Sequence, residues 1–297
     1  MAERTIVASA PAKVILLGGK GVNWGFPALV AAVGIRTSCT VRPGPGKSYR
    51  FTYGDHTETG DASSLSDFKR RIDDYRARKS FDEITAVARQ DFFAPVRHVL
   101  AHVVERTSGL GFDISWRSDI PVGSGLGSGA AASASMAAAV LRAAGKTVPP
   151  RDLAWIAWQG DVIAHGGLGT GLDSGGSTLG GIVRYSLDDG PRQVAVQGEL
   201  PLVVGDTLLR ASTATSNTAS RNWLDEHPMR IHLLQEMGLL VEQAQEAIAK
   251  GDLARLGFVP ELARHQSARA AEPVPYRILD RCADKRSRLA GIQSSRQ

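Results

Sequence analysis

The segment Pro121-Val122-Gly123-Ser124-Gly125-Leu126-Gly127-Ser128-Gly129-Ala130-Ala131 lies between a predicted strand and an Ala-rich run. Glycines let the backbone approach an anion closely, and a following helix offers free N–H groups and a positive dipole end. Gly123, Ser124, Gly125, Leu126, Gly127, Ser128, Gly129 and Ala130 are therefore candidates to cradle a phosphate. Tight strand-to-helix packing is the competing reading of the same glycines. The loop lacks a P-loop lysine and lies too far along the chain for a dinucleotide fingerprint. Lys13 puts a cation into the otherwise apolar run Val14-Ile15-Leu16-Leu17. Alone it reads as a snorkelling strand lysine; beside a phosphate loop it can meet phosphoryl charge. Asp161 and His165 are four residues apart, on one helical face, a spacing that metal ligands also use. No further His or Cys joins them in sequence. Asp173 follows the turn Gly166-Gly167-Leu168-Gly169-Thr170-Gly171 and can serve a reacting hydroxyl or cap a helix.

Short β-branched or aromatic runs at 4–9, 13–17, 35–41, 49–53 and 111–117 predict the strands that position these residues. Phe68, Ile72 and Tyr75 recur at helical spacing, and Pro95 opens a second helix with Val96, Val99, Leu100 and Val103 on one side. Residues 130–144 predict a helix of small residues, ended by Gly145 and Pro149-Pro150, and 153–164 a second one. Further strands are expected at 182–186, 194–197 and 202–205, with a lobe boundary at Asp188-Asp189-Gly190-Pro191. Leu233, Leu234, Met237, Leu240, Val241, Ala244 and Ile248 form the apolar face of a long helix stopped at Lys250-Gly251.

With 297 residues, 43% hydrophobic and 22% charged, the chain has the composition of a globular protein large enough for two lobes. Its two cysteines, Cys39 and Cys282, exclude a disulfide framework and fit a reducing cytoplasm. Neither a leader segment nor a membrane-spanning run of about 20 apolar residues is evident. The net charge of +5 is concentrated late: residues 261–297 hold eight Lys or Arg against four Asp or Glu. The basic tail carries no nucleic-acid-reading motif, so neither nucleic acid nor a membrane is expected as a partner, and anionic small substrates stay open.

Two of these segments together resemble the GHMP kinases, whose first motif begins like Ala10-Pro11-Ala12-Lys13 and whose second reads like Pro121 to Ala131. Gly205-Asp206-Thr207, Ala211-Ser212-Thr213 and the stretch Asp161 to Asp173 are similar to the mevalonate kinases within that superfamily. The resemblance covers about residues 5–257. It implies an α+β, two-lobed fold: an N-terminal lobe with the phosphate loop (1–187) and a smaller ferredoxin-like C-terminal lobe (188–297). It also implies ATP and Mg²⁺, and phosphorylation of the 5-hydroxyl of (R)-mevalonate in isoprenoid precursor synthesis. A phosphomevalonate kinase, another small-alcohol kinase and a non-catalytic ligand-binding relative are the alternatives, and a homodimer is compatible with all.

Phosphoryl transfer needs in-line positioning, a cation over the transferring group, Mg²⁺ on hard oxygen ligands and a carboxylate for the accepting hydroxyl. By resemblance Asp173 and Lys13 are catalytic, Asp161 and Ser128 hold the metal, and Lys20, His165 and Thr213 line the acceptor. Gly18-Gly19-Lys20 stands where the family continues Gly-Glu-His, Asp161 replaces a longer Glu, and Gly129 replaces a second Ser. Residues 258–297 contain nothing like the family's third, glycine-rich motif.

Overall fold

The computed structural model describes residues 5–44, 46–107, 111–205 and 213–257, with side chains from 220 onward in the last stretch. A mixed seven-stranded sheet is its backbone, with strand order β4-β3-β5-β2-β6-β7 and β1 paired to β2. The strands are β1 (Ile6–Leu17), β2 (Ala28–Gly44), β3 (Ser48–Tyr53), β4 (His56–Asp61), β5 (Gly111–Ser118), β6 (Ile182–Ser186) and β7 (Gly190–Val194). The helices are α1 (Ala62–Ala77), α2 (Phe81–Gln90), α3 (Ala94–Val104), α4 (Ser128–Ala143), α5 (Pro150–Ala164), α6 (Leu172–Leu179), α7 (Thr213–Glu226) and α8 (Ile231–Lys250). All ladders are antiparallel except β3 with β5.

Small residues decide how closely the layers approach. Ala10 and Ala12 of β1 pack with Ala131 and Ala134 of α4 and Ala157 of α5, so that helix lies close on the strand. The loop before α4 is consequently within hydrogen-bond reach of β1: the Lys13 N–H donates to the Leu126 carbonyl at 2.9 Å. Glycines do the same on two other helices. A Cβ at Gly160 of α5 would collide with Ser133 Oγ, and one at Gly176 of α6 would stand 3.1 Å from Val30 and 3.4 Å from Lys13 Cβ.

Pleat alternation on β2 supplies two faces. Ala28 and Val30 pack with Leu172 of α6, whereas Leu29 and Ala31 pack with Leu240, Val241, Ala244 and Ile248 of α8. The apolar face expected for α8 is therefore buried on the sheet, and Gly251 ends the helix in the left-handed region.

Four expectations shift. The two short runs before residue 18 form one strand with an irregularity between Pro11 and Ala12, because proline there removes one donor without ending the ladder. The strand expected at 194–197 is β7, at Gly190–Val194, and Asp188-Asp189-Gly190-Pro191 makes the β6–β7 turn. Asp189 closes that turn, accepting from Ser186 Oγ and pairing with Arg184 and Arg192. Residues 202–204 form no ladder and are exposed. Helix α2 is an element beyond those expected, with Ile84 fully buried and Phe81, Val87 and Ala88 packed beside it at helical spacing.

Candidate active site

Lys13 is 4% exposed on β1, and its Nζ lies 2.9 Å from Asp173 Oδ1 and donates to the Gly125 carbonyl at 3.1 Å. Strand, glycine loop and helix α6 thus meet at one ammonium. A buried lysine keeps its charge only if paired, and Asp173, with its side chain 18% exposed, supplies the counter-charge at the margin of solvent.

The loop reaches Lys13 by alternate glycines in the left-handed region, Gly123 at φ 75°, Gly125 at 77° and Gly127 at 74°. A side chain at Gly127 would also stand 2.8 Å from Lys13 Cγ and 2.9 Å from Cε. Gly127 is the N-cap of α4 and no side chain caps that helix. Its first-turn N–H groups, on Ser128, Gly129 and Ala130, are thus the unsatisfied donors that favour an anion. Beside them a Cβ at Gly129 would meet nothing within 4 Å. Uncapped donors facing open space fit a phosphate group.

Asp161 is 3% exposed near the end of α5, and its Oδ2 accepts the Ser174 N–H at 3.2 Å. Burial pushes its pKa up, and the Asp173 carboxylate adds to that; the Ser174 bond and Lys13 oppose it. Two carboxyl groups gathered at one ammonium supply the oxygen donors that suit a hard divalent cation, whose charge would in turn favour ionised Asp161. Ser128, half-buried at the start of α4, offers a hydroxyl oxygen of the same class.

His165 is the C-cap of α5, its N–H bonded to the Asp161 carbonyl at 2.9 Å. Burial lowers the imidazole pKa; Asp173 opposes this, and Lys13 and Lys20 add to the lowering. Those interactions bring His165, Lys20, Lys13 and Asp173 into one electrostatic neighbourhood. Lys20 is half-buried before the 3-10 turn Gly21–Trp24, and burial lowers its pKa too. Thr213 begins α7, but its side chain, segment 206–212 and the basic tail 261–297 lie outside the described residues.

Asp173 sits in the first turn of α6, where Gly171 is the N-cap, so capping is not its role. The supporting residues have no motif of their own. Ser174 is fully buried and donates its N–H to Asp161 and its hydroxyl to the Gly171 carbonyl. Trp158 Nε1 donates to the Gly169 carbonyl at 2.7 Å, holding the turn against α5. At Gly169 a Cβ would be 2.6 Å from the Asp161 carbonyl oxygen, so glycine is required for the close approach. Tyr185 stands beside this group, its pKa raised first by burial and then by Asp161. A separate surface depression of about 640 Å³, lined by Tyr49, Glu58, Phe68 and Arg97 among others, contains none of these residues.

The chain is similar to known proteins in sequence and in fold. Residues 95–181, which span the glycine loop, Asp161 and Asp173, match the family model described as the GHMP kinases N terminal domain. The mevalonate kinase of Pyrococcus horikoshii is 30% identical over 245 residues, 82% of this chain and 69% of that protein. For the mevalonate kinase of Thermococcus sibiricus the identity is 31% over 245 residues, 82% and 70% of the two chains. Among solved structures, L. major mevalonate kinase in complex with R-mevalonate superposes with a TM-score of 0.66 at 24% identity, covering 91% of this chain and 77% of that one. Among the described residues no helix is long and apolar enough to cross a membrane. The extent and level of these likenesses place the chain in the mevalonate kinase family of the GHMP kinases.

Proposed function

We propose that this chain transfers the γ-phosphoryl group of ATP to the 5-hydroxyl of (R)-mevalonate, yielding 5-phosphomevalonate and ADP. The observation that carries the reading is the buried Lys13–Asp173 pair, 2.9 Å apart, set against an uncapped helix N-terminus. The named relatives supply the substrate.

In this reading the N–H groups from Ser124 to Ala130 bind the polyphosphate. Asp161 and the Ser128 hydroxyl would hold Mg²⁺, which when bound neutralises phosphate oxygens and eases charge onto the leaving ADP. Asp173 has one oxygen on Lys13 and takes the hydroxyl proton on the other. The freed oxygen forms a bond to the γ-phosphorus while the bond from that phosphorus to the β–γ bridging oxygen breaks, and the electron pair leaves with ADP. Lys13, fixed by Asp173 and the Gly125 carbonyl, stabilises charge on the acceptor oxygen and the phosphoryl group. Lys20 pairs with the substrate carboxylate, and His165 and Thr213 complete the acceptor side. The reading keeps two lobes, with the chain leaving the sheet after Val194 of β7.

A coupled assay of ADP release with mevalonate, phosphomevalonate, homoserine and galactose tests this. The expected result is turnover with mevalonate well above the others. Preference for another acceptor would reassign the substrate, and ADP release at the blank rate with all four would make the chain a ligand-binding relative.

A further inference from the structure

Beside Gln159 of α5, α3 presents His98 and His102 to Asp73 of α1. One ligand atom from each of these three side chains lies within 4.8 Å of the others. Both histidines are buried, His98 completely and His102 at 8% exposure. The Nε2 atoms of both are buried and have no hydrogen-bond partner. An orphaned buried ring nitrogen is costly, and two of them side by side call for an explanation.

The geometry points to a divalent transition-metal site, of the zinc class, formed by Asp73, His98 and His102. Three features argue for it. His98 Nδ1 lies 2.9 Å from the Gln159 carbonyl, and because a carbonyl can only accept, the Nδ1 carries the proton and Nε2 presents its lone pair. That is the arrangement of a metal-binding histidine whose outer nitrogen is fixed by a second hydrogen bond. Burial also holds the pKa of His98 down to about 4 and that of His102 to about 3, so both rings are neutral and able to ligate at pH 7. Finally, two imidazoles and one carboxylate are a zinc donor set that leaves a position for water.

Bond lengths of about 2.0–2.2 Å in a tetrahedral site put ligand atoms roughly 3.3 Å apart, so loading needs the three side chains to close by an ångström or so. Asp73 sits at the surface end and can make most of that movement. Its carboxylate now pairs with Lys69 at 3.0 Å, and Lys69 also reaches Glu105 at 3.6 Å. Lys69 and Arg76 are the neighbouring cations that oppose loading. Glu105 gives Lys69 another partner when the metal takes Asp73. Magnesium, which prefers oxygen ligands, does not compete for this nitrogen-rich set.

The test uses the full-length chain freed of metal by chelation and dialysis. Titration with Co²⁺ should give a visible d–d band saturating at one equivalent, and Zn²⁺ should displace it. Zn²⁺ at about 100 times its Kd should raise Tm by about 5 °C or more. His102→Gln should abolish the band, and Asp73→Asn, at a partly exposed position, should weaken Co²⁺ binding about tenfold or more without unfolding the protein. Both variants should keep Mg·ATP-dependent turnover, which separates failure of this site from failure of the kinase reading. Absence of a saturable band in the wild type, or the same band and affinity in folded Asp73→Asn and His102→Gln proteins, overturns the assignment.

Discussion

Gly127→Ala is the substitution whose consequences can be worked furthest. An alanine there must hold φ near 74°, which costs about 1–2 kcal/mol for a residue with a Cβ. The new methyl would stand 2.8 Å from Lys13 Cγ and 2.9 Å from Cε. Carbon atoms settle at about 3.5–4.0 Å, so the lysine stem has to retreat by roughly 0.7–1 Å. Its ammonium is bound at 2.9 Å to Asp173 and 3.1 Å to the Gly125 carbonyl, and a shift of that size stretches both contacts beyond hydrogen-bond range. A misplacement of about 1 Å in a catalytic group can cost about 100-fold in rate. We expect kcat for ADP release to fall by one to two orders of magnitude and Tm to fall by roughly 2–8 °C, from about 2–4 °C per kcal/mol in a chain of this size class. Gly129→Ala is the control. That position is helical, with nothing within 4 Å of an added Cβ, so stability should be unchanged or up to about 1 kcal/mol better. Its methyl instead enters the space assigned to phosphate, so KM for ATP should rise while kcat holds. A Gly127→Ala protein with wild-type kcat and Tm, or matching kinetic effects of the two substitutions, would refute the placement of Lys13 under the loop.

Lys13→Met and Asp173→Asn should each lower kcat about 100-fold or more with little change in either KM, because both act on the transition state; steady-state kinetics check this, and wild-type turnover in either removes it from the machinery. Lys20→Met should raise KM for mevalonate several-fold more than KM for ATP, and equal effects would return Lys20 to a loop cation. Alkaline stability should depend on Tyr49, whose pKa is pushed up to about 12 by burial and then by Glu58, against Arg97. The folded state then holds the phenolic proton more tightly than the unfolded chain, so its contribution is complete below about pH 10 and is lost as pH rises towards 12. Denaturant melts of wild type and Tyr49→Phe across pH 9–12 should converge in that window, and parallel curves would show that the tyrosine does not titrate there.

The fold was legible wherever a segment carried its own period. α8 buries the heptad-like face read from its leucines, and β6 occupies the run expected at 182–186, because in both cases the residues that face the core recur at the spacing of the element. Punctuation misled where turn chemistry and linker chemistry share residues. Asp188-Asp189-Gly190-Pro191 has the composition of a linker, yet Asp189 turns it into a hairpin by binding Ser186, Arg184 and Arg192. Pro11 marks an irregularity within β1 rather than its end. Helix α2 does carry a helical period in Phe81, Ile84, Val87 and Ala88, but it is only ten residues long and buries Ile84 alone in full, so its signal is short.

For the site, sequence supplied the residue types and structure supplied the pairings. Nothing local says that Lys13 and Asp173, 160 positions apart, touch, or that Ser174 gives its N–H to Asp161. His98 and His102 did carry a readable signal, two histidines on one turn of a helix, but their partner Asp73 comes from another helix and only the fold brings it in. The pairings also bear on the residues that depart from the family's motifs. Lys20 lies in the electrostatic neighbourhood of His165, which also feels Lys13 and Asp173, and Asp161, although a methylene shorter than Glu, still interacts with Asp173 and Lys13. The side of the site between Lys13 and Asp161 therefore gathers one ammonium and two carboxyl groups. With that ammonium already paired to Asp173, this side has little positive charge to spare for an arriving triphosphate. The helix N-terminus of α4 contributes only about half an elementary charge. The remaining compensation has to come with the nucleotide, as a divalent cation, and the oxygen-rich side of the site around Asp161 and Ser128 is where this chain can receive it.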